Sequence, residues 1–197
     1  MVIDLKSCIG CNSCVLACKA GNGTPKGIFW NKILERETGK YPTAIRQFWS
    51  MRCMQCENPA CMEACPTGAT YQREDGIVVI DAEKCVGCKA CMLACPYDAR
   101  SIWEERIPYF KEGETPYEKV VYKEHVVGVV QKCDFCSDRL DRQLEPRCVE
   151  TCPTGTLIFG DLDDPMSDVS KALGHRRLAF RLHEELGTSP SIYYLGY

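Results

Sequence analysis

The sequence predicts an α+β fold in which short strands and single helical turns are arranged around cysteine loops, in two small modules with inserted loops and a short helical C-terminal segment. Three observations predict it. Sixteen cysteines in 197 residues fall into four tight groups, the groups repeat only two spacing plans, and short apolar runs such as Ile77 to Ile80 join or flank them. The remaining composition, 45% hydrophobic and 26% charged, is that of an ordinary globular chain, so a packed fold and not a disordered segment carries these loops.

The third group, Cys85, Cys88, Cys91 and Cys95 followed by Pro96, matches the bacterial ferredoxin run C-x2-C-x2-C-x3-C-P in full. The first, Cys8, Cys11, Cys14 and Cys18, departs from it only in having Lys19 at the place of the proline. The second group is Cys53, Cys56, Cys61 and Cys65, and the fourth is Cys133, Cys136, Cys148 and Cys152. Both have a longer spacer before the third cysteine, and both leave through Cys-Pro-Thr-Gly, at Cys65 and at Cys152.

A cubane 4Fe-4S cluster has four iron corners, and thiolates at i, i+3 and i+6 wrap three of them from one loop. The fourth corner is capped by a cysteine from elsewhere, and the proline after that cysteine ends the turn and sends the chain towards the other cluster. Sixteen cysteines at four per cubane leave none over, so four 4Fe-4S clusters are expected, with every cysteine a ligand. Structural zinc also uses C-x2-C pairs but requires neither the third cysteine at i+6 nor the Cys-Pro exit. A disulfide scaffold matches the cysteine content, yet neighbours this close bridge only with strained geometry.

Spacing alone leaves the pairing of groups open. The order of plans along the chain suits two tandem units, first group with second and third with fourth. It equally suits a nested arrangement, because the short strand at Ile77 to Asp81 joins the second group to the third much as a compact two-cluster ferredoxin joins its halves.

Met1 to Leu5 reads as a strand entering the first cysteine loop, Val126 to Val130 as the equivalent strand before Cys133, and Thr156 to Phe159 as a returning strand. Helical turns are expected at Cys14 to Lys19, Cys61 to Cys65 and Cys91 to Cys95, where the x3 gap brings cysteines towards one face. Asp164-Pro165 is a helix start, followed by Ser167 to Leu173, and a last helical stretch is expected through Leu178 to Leu186. Residues 19–52 and 97–132 exceed what a minimal two-cluster unit needs. They hold Trp30, Trp49, Trp103, Tyr109, Phe110 and Tyr117, candidates for shielding clusters or meeting a partner, with core packing the usual role of such rings. Gly10 and Gly87 suit a loop that approaches a cluster closely, or simply a turn.

No apolar run reaches 18 residues, so no direct membrane span is expected, and a cysteine group beginning at residue 8 leaves no room for a signal peptide. A net charge of −3 gives no basic footprint and argues against nucleic acid as a partner. His125, His175 and His183 stand apart from one another and from any paired carboxylates, so no catalytic site is read. His175-Arg176-Arg177 reads as a solvated helix face.

Together these motifs resemble the four-cluster iron–sulfur subunits of molybdopterin oxidoreductases, the relay subunits of dimethyl sulfoxide, polysulfide, thiosulfate, tetrathionate and arsenate reductases and of some formate dehydrogenases. The resemblance is carried by Cys85 to Cys91 with Cys95-Pro96-Tyr97-Asp98-Ala99-Arg100. Lys132-Cys133-Asp134-Phe135-Cys136 with Arg139-Leu140-Asp141, then Glu145-Pro146 to Cys152-Pro153-Thr154-Gly155, and Phe159 to Pro165 extend it, so that it runs from residue 1 to about 195.

The resemblance implies the nested pairing: Cys8, Cys11 and Cys14 with Cys152; Cys133, Cys136 and Cys148 with Cys18; Cys53, Cys56 and Cys61 with Cys95; Cys85, Cys88 and Cys91 with Cys65. Two bacterial-ferredoxin-like two-cluster modules follow. Residues 1–52 with 126–160 form the first and residues 53–100 the second, leaving 101–125 as an insert and 161–197 as a C-terminal extension. Some relatives have tryptophan for the second cysteine of the third motif and carry a three-iron cluster; Cys88 is present here, so four cubanes are expected. In the family the cluster of the first group faces the catalytic subunit, and that of the third group faces the electron donor or acceptor.

The function implied is electron relay, with no bond chemistry on this chain, between a large molybdopterin catalytic subunit holding molybdenum or tungsten and a membrane anchor subunit or soluble carrier. A free polyferredoxin is the alternative, and the two large segments between the motifs favour the bound subunit. The chain reaches Tyr197 without a transmembrane helix, so any membrane link is expected to be another subunit. Relatives that act outside the cytoplasmic membrane are often carried across folded by a partner's twin-arginine signal, which makes the outer face the expected location and the cytoplasm the alternative.

Overall fold

The demands of the first cysteine loop set the start of the chain. In the computed structural model, which describes residues 1–174 and 178–196 apart from the side chain of Glu124, Val2–Asp4 forms strand β1, buried along its whole length. The chain then turns through Gly10 and Asn12, both left-handed at φ 69° and 60°, into helix α1, Ser13–Gly21. There the i, i+4 spacing brings Cys14 and Cys18 to one buried face.

Residues 19–52, for which the sequence reading assigned no element, hold a long hairpin. Strand β2, Asn31–Thr38, and strand β3, Ile45–Arg52, pair antiparallel from Asn31 opposite Arg52 to Thr38 opposite Ile45. The turn begins at Gly39, whose φ of 91° is a conformation side chains resist. The far end is exposed, whereas Asn31, Ser50 and Arg52 at the base are buried. The base of the hairpin therefore delivers polar groups to the interior just before Cys53.

Beyond it, single turns punctuate the cysteine loops: α2, Ala60–Glu63; the hairpin of β4, Thr70–Gln72, with β5, Val78–Ile80; and α3, Ala90–Leu93. The strand expected over Ile77 to Asp81 is thus present, as Val78–Ile80. Strand β6, Ser101–Ile102, leads to α4, Pro116–Val121. That helix is started by a capping box, in which Thr115 Oγ1 accepts from the Glu118 N–H at 3.2 Å and the Glu118 carboxylate accepts from the Thr115 N–H at 2.8 Å. Strand β7, Val130–Gln131, pairs with β6. The strand expected over Val126 to Val130 is therefore confined to its last residue, because Gly128 at φ 84° closes a turn in which the Val129 N–H donates to the Val126 carbonyl. Two further single turns, α5 at Ser137–Leu140 and α6 at Arg147–Glu150, flank the long spacer of the fourth group.

Strand β8, Leu157–Ile158, returns antiparallel to β1 as expected, with Ile3 opposite Leu157. Helix α7, Asp168–Gly174, follows the Asp164-Pro165 start. Leu178 to Leu186, expected as a helix, is instead strand β9, Ala179–Phe180, followed by a 3-10 turn over Glu184–Leu186. The cause is tertiary: β9 pairs with β10, Tyr193–Leu195, and Phe180 stacks on Tyr194 at 5.9 Å between ring centroids, which outweighs local helix propensity. The resulting sheet has the order β8-β1-β10-β9, with β10 parallel to β1. One face, with Ile3, Leu157 and Tyr194, joins a core that includes Cys14, Cys53, Cys133 and Cys148. The other, with Val2 and Leu195, is covered by Val169 of α7. Among the described residues no helix is long and apolar enough to cross a membrane. The reading made of His175-Arg176-Arg177 lies outside the described residues.

Candidate metal centres

The fold gathers the cysteines in fours. Cys8, Cys11 and Cys14 line a cavity with Cys152, which arrives from the end of α6; Ile33, Ser50 and Thr156 are among its walls. Cys53, Cys56 and Cys61 line a second with Cys95, beside Val78, Arg100 and Thr188. Cys85, Cys88 and Cys91 line a third with Cys65. The other four thiols, of Cys18, Cys133, Cys136 and Cys148, are buried together. The Asn22 side-chain amide donates to Cys18 Sγ at 3.4 Å and reaches Cys136 Sγ at 3.9 Å, while Cys133 is close enough to Cys18 and Cys148 for their thiolates to repel its own.

These foursomes suit a cluster better than a single ion. A zinc site draws its ligands onto one point, and among the described residues no three His, Cys, Asp or Glu side chains are gathered in that way. The thiols stand instead around the walls of shared pockets, as ligands to the separate corners of one polynuclear core do. Gly10 and Gly87, at φ 69° and 66°, make the loops possible. A Cβ at Gly10 would meet the Phe48 ring and one at Gly87 the Gly128 carbonyl, so these glycines serve the turn and the packing behind it.

The thiols differ in character. Burial pushes Cys18 up to about 12 and Cys56 to about 11, and it raises Cys133 well above the ordinary thiol value. Such groups hold their protons at neutral pH, so loading a metal there releases them. The two Cys-Pro-Thr-Gly exits behave in the opposite sense. Burial is the largest single influence on Cys65 and raises it, but the N–H groups of Thr67, Ala69 and Thr70 and the Thr67 hydroxyl together bring it down to about 7. At Cys152 burial is likewise outweighed by the amides of Thr154, Thr156 and Leu157, and the thiol is lowered. Backbone amides thus stabilise thiolate at these corners, as hydrogen bonds to cluster sulfur do.

Two arginines to which the sequence reading gave no role touch thiols directly. Arg52 Nη1 donates to Cys148 Sγ at 2.9 Å, and Arg100 Nη2 donates to Cys61 Sγ at 2.8 Å. For Arg52 the signal available was its place immediately before Cys53, while Arg100 closes the motif that begins at Cys95, just as Lys132 opens the one that runs to Cys136. The tryptophans are structural: Trp49 packs on Phe180 and Tyr194, and Trp103 on Tyr122. His125 bonds the Asn22 carbonyl and His183 the Glu185 carboxylate, each outside the thiol foursomes.

Comparison with known proteins bears on the same residues. Residues 45–111 and 110–162 match one 4Fe-4S dicluster domain family, and residues 7–69 match another. The chain is 44% identical to a selenate reductase subunit of Mesobacillus selenatarsenatis, over 99% of this chain and 70% of that protein. It is 41% identical to a tetrathionate reductase subunit of Salmonella typhimurium, over 100% of this chain and 71% of that one. The chain belongs to the iron–sulfur subunits of the molybdopterin oxidoreductases. A polysulfide reductase chain of Wolinella succinogenes, 38% identical over 98% of this chain and 91% of its own length, is a further member. As in the family, this subunit carries four 4Fe-4S clusters, and its function is electron relay.

Proposed function

We propose that the chain relays electrons through four sites with nested ligands. The first site is Cys8, Cys11, Cys14 and Cys152; the second Cys18, Cys133, Cys136 and Cys148; the third Cys53, Cys56, Cys61 and Cys95; the fourth Cys65, Cys85, Cys88 and Cys91. The observation that carries this reading is that three separate cavities are each lined by one of these foursomes, leaving the remaining four thiols together. Residues 1–52 with 126–160, and residues 53–100, are then the two ferredoxin-like modules. Clusters held there would supply one-electron redox chemistry. The protein's contribution is to hold the thiolates, to donate hydrogen bonds to sulfur from Arg52, Arg100, Asn22 and the exit-loop amides, and to exclude water from the second site.

No substrate chemistry is assigned to this chain. Its partner is a large catalytic subunit with a molybdenum or tungsten pterin, by analogy with the reductases whose subunits it resembles, and a membrane anchor or soluble carrier stands at the other end of the relay. Anaerobic affinity purification from the native host tests both levels. About sixteen irons per chain with molybdenum or tungsten in a co-purifying large subunit is the expected result. The same iron without a partner would instead indicate a free polyferredoxin. For the ligands, Cys11→Ser and Cys152→Ser are expected to alter the same cluster signal in electron paramagnetic resonance, whereas tandem pairing predicts two different ones.

A further inference from the structure

Among the described residues three basic side chains are buried outside the ion pairs with carboxylates. Arg52 is 2% exposed, Arg100 3% and Lys132 3%. Among the described residues none of them joins the ion pairs that Asp and Glu make with the other basic side chains. The Nε atoms of both arginines are buried with no hydrogen-bond partner at all. A buried cation left uncompensated is strongly destabilising, so each needs a source of negative charge nearby. The charges that the structure sets against Arg52 and Arg100 are thiolates, those of Cys14, Cys133 and Cys148 at Arg52 and of Cys53, Cys61 and Cys91 at Arg100, and Lys132 acts on Cys61.

The three positions fall into a pattern. Arg52 Nη1 lies 2.9 Å from Cys148 Sγ of the second site, while its Nη2 donates at 2.5 Å to Ser50 Oγ, which lines the first site's cavity. Arg100 Nη2 lies 2.8 Å from Cys61 Sγ of the third site. Its Nη1 donates at 3.1 Å to Thr70 Oγ1, and the Thr70 N–H reaches Cys65 Sγ of the fourth at 3.5 Å. Lys132 Nζ donates to the carbonyl of Cys133, a second-site residue, at 2.9 Å, and to that of Val78, which lines the third site's cavity. Each cation therefore bridges two consecutive sites, in the order first, Arg52, second, Lys132, third, Arg100, fourth.

We propose that Arg52, Lys132 and Arg100 are positioning residues of the relay, one fixed positive charge at each junction, raising the reduction potential of the two clusters it stands between. The inference rests on the ligand sets proposed above. An arriving electron adds one negative charge to a cluster that is already anionic with its four thiolates. A cation in the low-dielectric interior stabilises that reduced form. Because it is shared by two neighbours, it lifts both together and does not trap the electron on one of them.

The test is a redox titration, followed by electron paramagnetic resonance, of the anaerobically purified, iron-loaded full chain with its co-purifying subunits. The cluster signals are first assigned with Cys11→Ser, Cys152→Ser and equivalent variants at the other sites. Arg52→Gln is expected to lower the midpoints of the first and second clusters and leave the other two in place. Lys132→Gln lowers the second and third, and Arg100→Gln the third and fourth. The charge-keeping variants Arg52→Lys, Lys132→Arg and Arg100→Lys hold the wild-type midpoints. A fully loaded glutamine variant with all four midpoints unmoved, or all four moved equally, overturns the proposal. Where a glutamine variant loses its clusters, the charge-keeping variant decides: restored loading with wild-type midpoints supports it, and lowered midpoints or continued loss overturn it. Failure of the ligand sets is read separately, from Cys11→Ser and Cys152→Ser altering different signals.

Discussion

Gln55 and Cys133 are joined by a hydrogen bond of 2.8 Å from the Gln55 Nε2 to the Cys133 carbonyl, and the Oε1 of the same amide accepts from the Val78 N–H at 2.8 Å. One fully buried side chain thus ties the second cysteine group to the fourth and to strand β5. Its left-handed backbone, at φ 47°, turns the chain inside the Cys53 to Cys56 loop so that the amide faces inwards. Two cysteine groups far apart in sequence are held in one register by this contact.

Gln55→Leu is expected to weaken that register. Lys132 keeps the Cys133 carbonyl satisfied, so the deficit falls on the buried Val78 N–H, a cost of about 1–3 kcal/mol. Because unfolding of a cluster protein is irreversible, the measurement is the rate at which visible cluster absorbance bleaches on warming, which should rise against wild type. An unchanged bleaching rate would mean that the hydrogen bond contributes nothing net.

Glycines in the cysteine loops separate into two classes. At Gly87 an added Cβ would lie 2.2 Å from the Gly128 carbonyl oxygen, a backbone atom that has nowhere to go, whereas at Gly68, with the same φ of 66°, it would meet nothing. Gly87→Ala is therefore expected to lose the cluster held by Cys85, Cys88 and Cys91, about four irons per chain. Gly68→Ala should keep full iron and cost only left-handed backbone strain, roughly 1–2 kcal/mol. Iron analysis of the two purified proteins distinguishes them.

What the sequence revealed and concealed follows from the range of the forces involved. The cysteine spacing is local chemistry, and all four groups sit in loops and short helices, α1 at nine residues being the longest of them. Strand β1 and the return at Leu157 were legible because both are short apolar runs beside a cysteine loop. Phe180 was misread because its partner, Tyr194, lies beyond a turn, and sheet pairing overrode a helical pattern. The hairpin of β2 and β3 was read only as length beyond a minimal two-cluster unit, because its strands are charged at the exposed end. Arg52, at its buried end, looks like a surface residue until the fold encloses it.

Helix α7 offers a control away from the clusters. Val169 is fully buried between that helix and the far face of the sheet, against Val2 and Leu195. Val169→Ala removes two buried methyl groups, about 1.5–3 kcal/mol with the cavity left behind. Stability in the bleaching assay should fall while iron content and cluster potentials stay at wild-type values. A shift in potential here would show that the sheet transmits strain to the thiols.

Asn22 tests whether a neutral hydrogen bond to sulfur tunes one cluster alone. Its amide donates to Cys18 Sγ at 3.4 Å and to the Cys18 carbonyl at 2.9 Å, and its own oxygen accepts from Arg147 Nη1 at 3.2 Å. Donors to ligand sulfur stabilise the more negative, reduced cluster. Asn22→Ala therefore removes a stabilising dipole from the second site and is expected to lower its midpoint, with the first, third and fourth unchanged, because no other site's thiol lies against this amide. The effect should be smaller than that of Arg52→Gln, since a dipole is lost and not a full charge. A shift as large as the arginine variant's, or one spread over two clusters, would mean that Asn22 acts by holding Arg147 and the Cys136 loop in place and not through sulfur.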